Sequence, residues 1–272
     1  MFDHSLSGRE RVFVAAAWVF SGLVIVFLVL PIVAIIPLSF TSDSLLSYPM
    51  PDWSLRWYRE LMDSPAWTRA LKNSLIVAVG STCLATVLGT LAAIGLNRRS
   101  CPWPILITAF LTTPMIVPVI ITAISSYFFY SRLGLTNSFA GMILAHTILG
   151  APFVVITVTA TLKGFDQNQI KAASSLGARP IYAFRTVTLP QILPGVVSGA
   201  VFAFVTSFDE VIVALFVAGS QQITLPRQMF SGVRDNLDPT IAAVATLMVL
   251  VTFGALGIAG LAVARRRRKF KP

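Results

Sequence analysis

The sequence predicts an all-α polytopic transmembrane helical bundle of about six spans, and three observations predict it. Hydrophobic residues make up 56% of the 272 and charged residues only 12%, too little polar surface for a water-soluble globule of this size. The apolar residues fall into runs of about 20 or more, the length a helix needs to cross a hydrocarbon core about 30 Å thick. The 21 basic residues, which dominate a formal net charge of +10, gather in short clusters between those runs. That layout signals membrane topology, not a nucleic-acid-binding face with interleaved aromatics.

Taken in order, the spans read as 13–36, 71–96, 105–130, 139–162, 192–218 and 240–263. A short N-terminal segment, 1–12, places Arg9 and Arg11 before the first span. That first run is too long for a signal-peptide core and no small-residue cleavage site follows it, so it is expected to be retained. It should bend near Pro31 and Pro37, where a proline removes a helix hydrogen bond. The segment 41–70 carries Trp53, Trp57 and Trp67, an expected headgroup-level belt, and a short amphipathic stretch at 55–61. Pro114, Pro118 and Pro152 should bend their spans and free carbonyls. Cys83 and Cys101 are far apart and lack metal-site or disulfide-framework spacing, so they read as a core residue and an incidental loop thiol. Asn137 and His146 are lone polar groups, expected to be satisfied by packing neighbours rather than to relay protons.

An even number of spans puts both termini on one side. Arg9, Arg11, Arg98, Arg99, Lys163, Lys171, Arg179 and Arg185 share that side with a basic tail, 264–272, containing Arg265, Arg266, Arg267, Arg268, Lys269 and Lys271. Arg56, Arg59, Arg69, Lys72, Arg132, Arg227 and Arg234 lie opposite, offset by Asp43, Asp52, Glu60, Asp63, Asp235 and Asp238. The first side is cytoplasmic by the positive-inside rule, and the tail fixes the last helix end against anionic membrane lipids.

One connection, 163–190, is far longer than the usual helix-to-helix link. Ile170, Ala173, Leu176 and Gly177 recur at helical spacing, with Gln167, Asn168, Gln169 and Lys171 supplying a polar face. A short amphipathic helix follows from that pattern. Gly177 suits the left-handed residue that ends a helix and Pro180 the start of the next. The second piece carries Ile181, Phe184 and Val187 and is expected to stop near Leu189 and Pro190. Small residues such as Ala172, Ala173 and Gly177 allow another backbone to approach closely. The residues alone leave two uses equally open, docking to a partner protein and covering the cytoplasmic helix ends.

The run Lys171-Ala172-Ala173, then Gly177, Leu189 and Pro190, resembles the EAA motif of the binding-protein-dependent (type I, MetI-like) ABC importer permeases. The resemblance implies that Lys171, Ala172, Ala173, Leu176, Gly177, Leu189 and Pro190 form the coupling helix that engages a cytoplasmic ATPase. It further implies a bacterial inner-membrane location, a second homologous permease subunit, two ATP-binding subunits that hold the ATP and magnesium, and an extracytoplasmic solute-binding protein. The family usually has Glu where this chain has Lys171, so a carboxylate-dependent contact at that edge does not carry over. Ser207-Phe208-Asp209-Glu210-Val211, followed by Val217-Ala218-Gly219 and Leu225-Pro226, looks like the polyamine branch, the spermidine and putrescine permeases.

Asp209 and Glu210 lie within the fifth apolar run, about 24 Å along it from Leu193 at about 1.5 Å per residue. A charge there costs several kcal/mol unless paired or hydrated. With Phe208 they are candidate lining of the solute pathway, where a carboxylate attracts a cationic solute; pairing with a neighbouring helix is the structural alternative. No G-x-x-x-x-G-K-[ST] phosphate loop occurs, so the chain is not the ATPase. No nucleophile, base and acid set or metal-ligand cluster stands at catalytic spacing, so no enzyme activity is expected. An ion-gradient-driven secondary transporter of a small cation is the alternative; it calls for internally repeated halves, and 13–130 and 139–263 show no convincing repeat. A second alternative is a membrane enzyme or assembly factor whose loop only recruits a partner.

Overall fold

The structure is a computed structural model that describes residues 8–98, 100–166, 168–235 and 238–269. Arg99 and Lys271 of the expected basic set and Gln167 of the loop's polar face lie outside the described residues. Regular structure among the described residues is helical, apart from one isolated bridge between Thr41 and Trp53. Among the described residues, five helices are long and apolar enough to cross a bilayer, and a bent helix pair supplies a sixth crossing if counted as one span.

The chain divides into two compact units. One comprises Met1–Asp63 with Asn236–Leu247, the other Ser64–Asp235 with Met248–Pro272. In the first, α1 (Gly8–Leu38) runs unbroken through Pro31 and Pro37, so no break accompanies either proline. It stops where Ser39 turns its hydroxyl onto the Ile36 carbonyl at 2.6 Å and meets the Tyr58 hydroxyl at 2.7 Å. The expected amphipathic stretch is α2 (Arg56–Asp63). Phe40 packs against Trp53 and Tyr58, with ring centroids 6.0 and 5.1 Å away. Of the tryptophans here, Trp53 is 73% exposed, whereas Trp57 is 4% exposed with the Arg56 guanidinium 4.7 Å over its ring.

The second unit is built on α3 (Pro65–Leu96), α6 (Phe139–Lys163) and α9 (Leu189–Phe208), which pack pairwise on one another. Small residues at every fourth position make this close approach possible. On α9 they are Gly195, Gly199, Ala203 and Ser207, and on α3 Ser81, Ala85, Gly89 and Ala93. A Cβ at Gly199 would come within 2.7 Å of the Val154 Cα, so nothing larger than hydrogen fits against α6 there.

The third span is not one helix. It breaks into α4 (Pro104–Thr112), a 3-10 turn (Thr113–Met115) and α5 (Val119–Arg132), with a 95° bend between the halves. Pro114 sits in the tight turn and Pro118 immediately before α5, and neither donates the amide that would carry the helix across. Pro152, by contrast, lies inside continuous α6. An apolar cavity of about 680 Å³ opens beside the break, lined by residues of α3, α4, α5 and α6.

The fifth span is also interrupted. α9 ends at Phe208, and α10 (Ile212–Val217) is a separate short helix packed against α5 and α6. Beyond it Asn73 Nδ2 donates to the carbonyls of Gln221 and Ile223 at 2.8 and 2.9 Å, and Ser74 Oγ accepts the Leu225 amide at 2.7 Å. These bonds pin an irregular stretch whose backbone has no ladder of its own. α11 (Leu225–Asp235) and α12 (Thr240–Lys269) complete the chain.

Candidate functional site

The long connection folds as two helices joined by a tight stop. α7 (Asn168–Ser175) begins where the Asp166 side chain accepts the Asn168 amide at 2.9 Å. It ends with the Ala178 amide on the Ala173 carbonyl at 3.0 Å and the Gly177 amide on that of Ser174 at 2.9 Å. That pair of bonds is a Schellman closure, and Gly177 takes the φ of +82° that it demands. α8 (Pro180–Ala183) then starts on Pro180, as the sequence predicts.

The second helix does not stop at Leu189 and Pro190. It passes through a π turn, Phe184–Thr188, and continues as α9, so Pro180–Phe208 form one apolar run of helix. The wider turn accommodates Pro190, whose missing amide and ring would clash with a regular α-helical ladder. Leu189 and Pro190 are half-buried at this junction, where the loop becomes the membrane helix.

The expected apolar face of α7 divides. Ile170 and Ala173 are half-buried, and Ile170 and Ser174 line a pocket of about 620 Å³ with Ile94, Leu162, Pro180 and Phe184. Leu176 instead projects outward at 89% exposure, beside exposed Lys171, Ala172 and Gly177. Ile181 and Tyr182 of α8 are 71% and 64% exposed. Covering the helix ends and presenting an apolar ridge are therefore done by opposite faces of one helix pair. Between α7 and α8 lies a groove of about 540 Å³ lined by Ala173, Leu176, Gly177, Ala178, Arg179 and Tyr182.

The two carboxylates sit at the break after α9, not inside a helix. The crossing runs from Pro180, not from near Leu193, and ends at Phe208, so Asp209 lies just past the end of the helix and not within it. Glu210 Oε1 accepts the amides of Ile212 and Val213 at 2.6 and 3.0 Å and so satisfies orphan donors at the start of α10. Asp209 is exposed, with its backbone amide on the Val205 carbonyl at 3.1 Å. Phe208 is 1% exposed and stacks on Phe204 at 5.5 Å, so its ring is core and not wall.

In the sequence His146 is a lone polar group, and the structure places it in a cluster. His146 Nδ1 lies 2.9 Å from Ser207 Oγ, which lies 2.9 Å from Ser81 Oγ. Three residues from three helices meet in the core, and no sequence spacing relates them. His146 Nε2 has no partner among the described residues. Asn137 takes a left-handed φ of 57° and donates its backbone amide to the Val217 carbonyl at 3.0 Å, a packing role as expected.

Comparison with known proteins gives a consistent result. Residues 85–269 match the family described as "Binding-protein-dependent transport system inner membrane component". The spermidine/putrescine transport system permease protein PotC of Escherichia coli (strain K12) is 33% identical over 243 residues, 89% of this chain and 91% of PotC. The putrescine transport system permease protein PotI of the same strain is 35% identical over 245 residues, 86% of this chain and 84% of PotI. A crystal structure of a bacterial ABC transporter involved in the import of the acidic polysaccharide alginate aligns with a TM-score of 0.72 at 14% identity. The alignment covers 97% of this chain and 99% of that one; at that identity it bears on the fold alone, and it agrees with the helical bundle read from the sequence.

Proposed function

The chain belongs to the family of binding-protein-dependent inner-membrane permeases, subunits of ABC importers that cross the membrane several times, and from that premise we propose that its solute is a polyamine such as spermidine or putrescine, or a related amine. The observation that carries the reading is Asp209, an exposed carboxylate at the end of the α9 crossing beside a glutamate already committed to the backbone. A charge facing hydrocarbon costs several kcal/mol; facing a hydrated pathway it attracts a cation. The similarity to PotC and PotI over most of the chain points the same way. Nothing in the family match favours an ion-gradient-driven carrier.

In this proposal the chain is half of a pathway completed by a second, homologous permease in a heterodimer. An extracytoplasmic binding protein delivers the solute, and two ATP-binding subunits hold the ATP and magnesium. Both termini face the cytoplasm, the side that the basic clusters select. The outward ridge of Ala172, Leu176 and Gly177 seats in one ATPase, while Ile170 rests against the helix ends and passes the motion on. Because the second loop helix is continuous with α9 through the π turn, a shift of the ridge moves the helix that carries Ser207 and leads to Asp209. Lys171 presents a positive charge at the docking edge.

Reconstitution tests this directly. With the paired permease, ATPases and binding protein in vesicles, labelled putrescine or spermidine should enter only with ATP. Entry driven by an ion gradient through this chain alone overturns the reading.

A further inference from the structure

We propose that His146 is the positioning residue for Asp209, acting through Ser207; the proposal rests on Asp209 being a solute contact. Ser207 is the last member of the small-residue register along α9, after Gly195, Gly199 and Ala203. Below it the helix is held by close backbone contact with α6: Cβ atoms at Gly195 and Gly199 would fall 2.7 Å from the Thr157 carbonyl oxygen and the Val154 Cα. At Ser207 close packing gives way to hydrogen bonds, to His146 of α6 and Ser81 of α3, each 2.9 Å away. One residue later the helix ends, and the next residue is Asp209. The place where Ser207 is held fixes the direction in which the chain leaves α9.

The histidine is not needed for its volume. His146 is 1% exposed and its Nε2 has no partner among the described residues, an uncompensated desolvation cost for a buried polar atom. A methionine would fill similar space without that cost. The use left for the ring's polar edge is the Nδ1 bond to Ser207. Of the neutral side chains, Asn can place a polar atom near the Nδ1 position, whereas Gln reaches toward Nε2 and Leu supplies neither.

The test uses the assembled importer in vesicles, with putrescine taken up per ATP hydrolysed as the readout, a ratio that a general folding defect does not change. His146→Asn should keep a near-normal ratio. His146→Leu, His146→Gln and Ser207→Ala should each lower it about tenfold, the equivalent of one hydrogen bond at about 1.4 kcal/mol, while ATP hydrolysis stimulated by the loaded binding protein persists. Adding His146→Leu to Asp209→Asn should cause no further loss. The proposal is overturned if His146→Leu keeps the wild-type ratio, if Asn and Leu lose it equally, or if uptake and hydrolysis fall together in both His146→Leu and Ser207→Ala. A normal ratio in Asp209→Asn removes the solute-contact reading itself; a defective Asp209→Asn beside a normal His146→Leu removes only the positioning role.

Discussion

Glu210 Oε1 lies 2.6 Å from the amide nitrogen of Ile212, and this contact separates the tasks of two adjacent carboxylates. Glu210 turns back onto the first amides of α10, which packs against α5 and α6 with Val213, Ala214 and Val217 buried. Asp209, one residue earlier, has no such engagement among the described residues and is exposed. The break in the fifth span therefore both places a carboxylate in the open and uses its neighbour to start the chain again.

Removing the Glu210 side chain should destabilise the protein and leave its solute contacts alone. Glu210→Ala is expected to cost about 1 kcal/mol, the usual worth of a helix-start acceptor, seen as a lower Tm in detergent. Glu210→Gln keeps an acceptor oxygen and should lose less. Asp209→Asn should leave Tm where it is; equal Tm losses at both positions would erase the division of labour.

Gly177 carries a left-handed φ of +82°, and a Cβ built there would meet nothing within 4 Å, so a side chain there meets strain and not a clash. Gly177→Val should cost about 1–2 kcal/mol at that turn, re-aim the ridge and uncouple ATP hydrolysis from uptake, with membrane levels unchanged. Uptake and phosphate release measured on one preparation decide it: full coupling would reduce the loop to a cover.

Leu176 is 89% exposed and has no packing role within this chain to lose. Leu176→Asp should weaken retention of the ATPase during purification in detergent, while Ile170→Asp, on the inward face, should lower the yield of folded permease. If ATPase retention survives Leu176→Asp, the ridge is not the docking face.

Two glycines separate packing from composition. A Cβ at Gly199 would sit 2.5 Å from Thr157 Oγ1 and 2.7 Å from the Val154 Cα, whereas one at Gly254 meets nothing within 4 Å. Gly199→Ala is expected to cost about 1–3 kcal/mol, the range for overpacking, and Gly254→Ala to be neutral within about 0.5 kcal/mol. Thermal unfolding of the two variants side by side checks the assignment of α6 and α9 as the rigid centre.

Much of this was legible in the sequence, because hydrophobic run length and basic clustering act locally. The left-handed stop at Gly177 and the start at Pro180 could be read from residue type, since few residues suit those backbone geometries. The breaks were harder. Pro114 and Pro118 signalled a bend, but hydropathy alone joins the two halves of 105–130. At 192–218 no proline marks the interruption; it depends on a side chain, Glu210, folding back onto amides that follow it. Pro190 misled in the other direction, since a π turn carries the helix past it. His146, Ser81 and Ser207 were invisible as a group because 126 positions separate the two serines, and only the packing of α3, α6 and α9 brings them together.

The most direct measurement is ATP-driven uptake of labelled putrescine by the reconstituted importer carrying Asp209→Asn, compared with the wild type and Glu210→Gln. Asp209→Asn is expected to lower putrescine moved per ATP by about tenfold or more, the loss of one charge-assisted contact, while Glu210→Gln stays near the wild type. Normal uptake by Asp209→Asn would contradict that expectation.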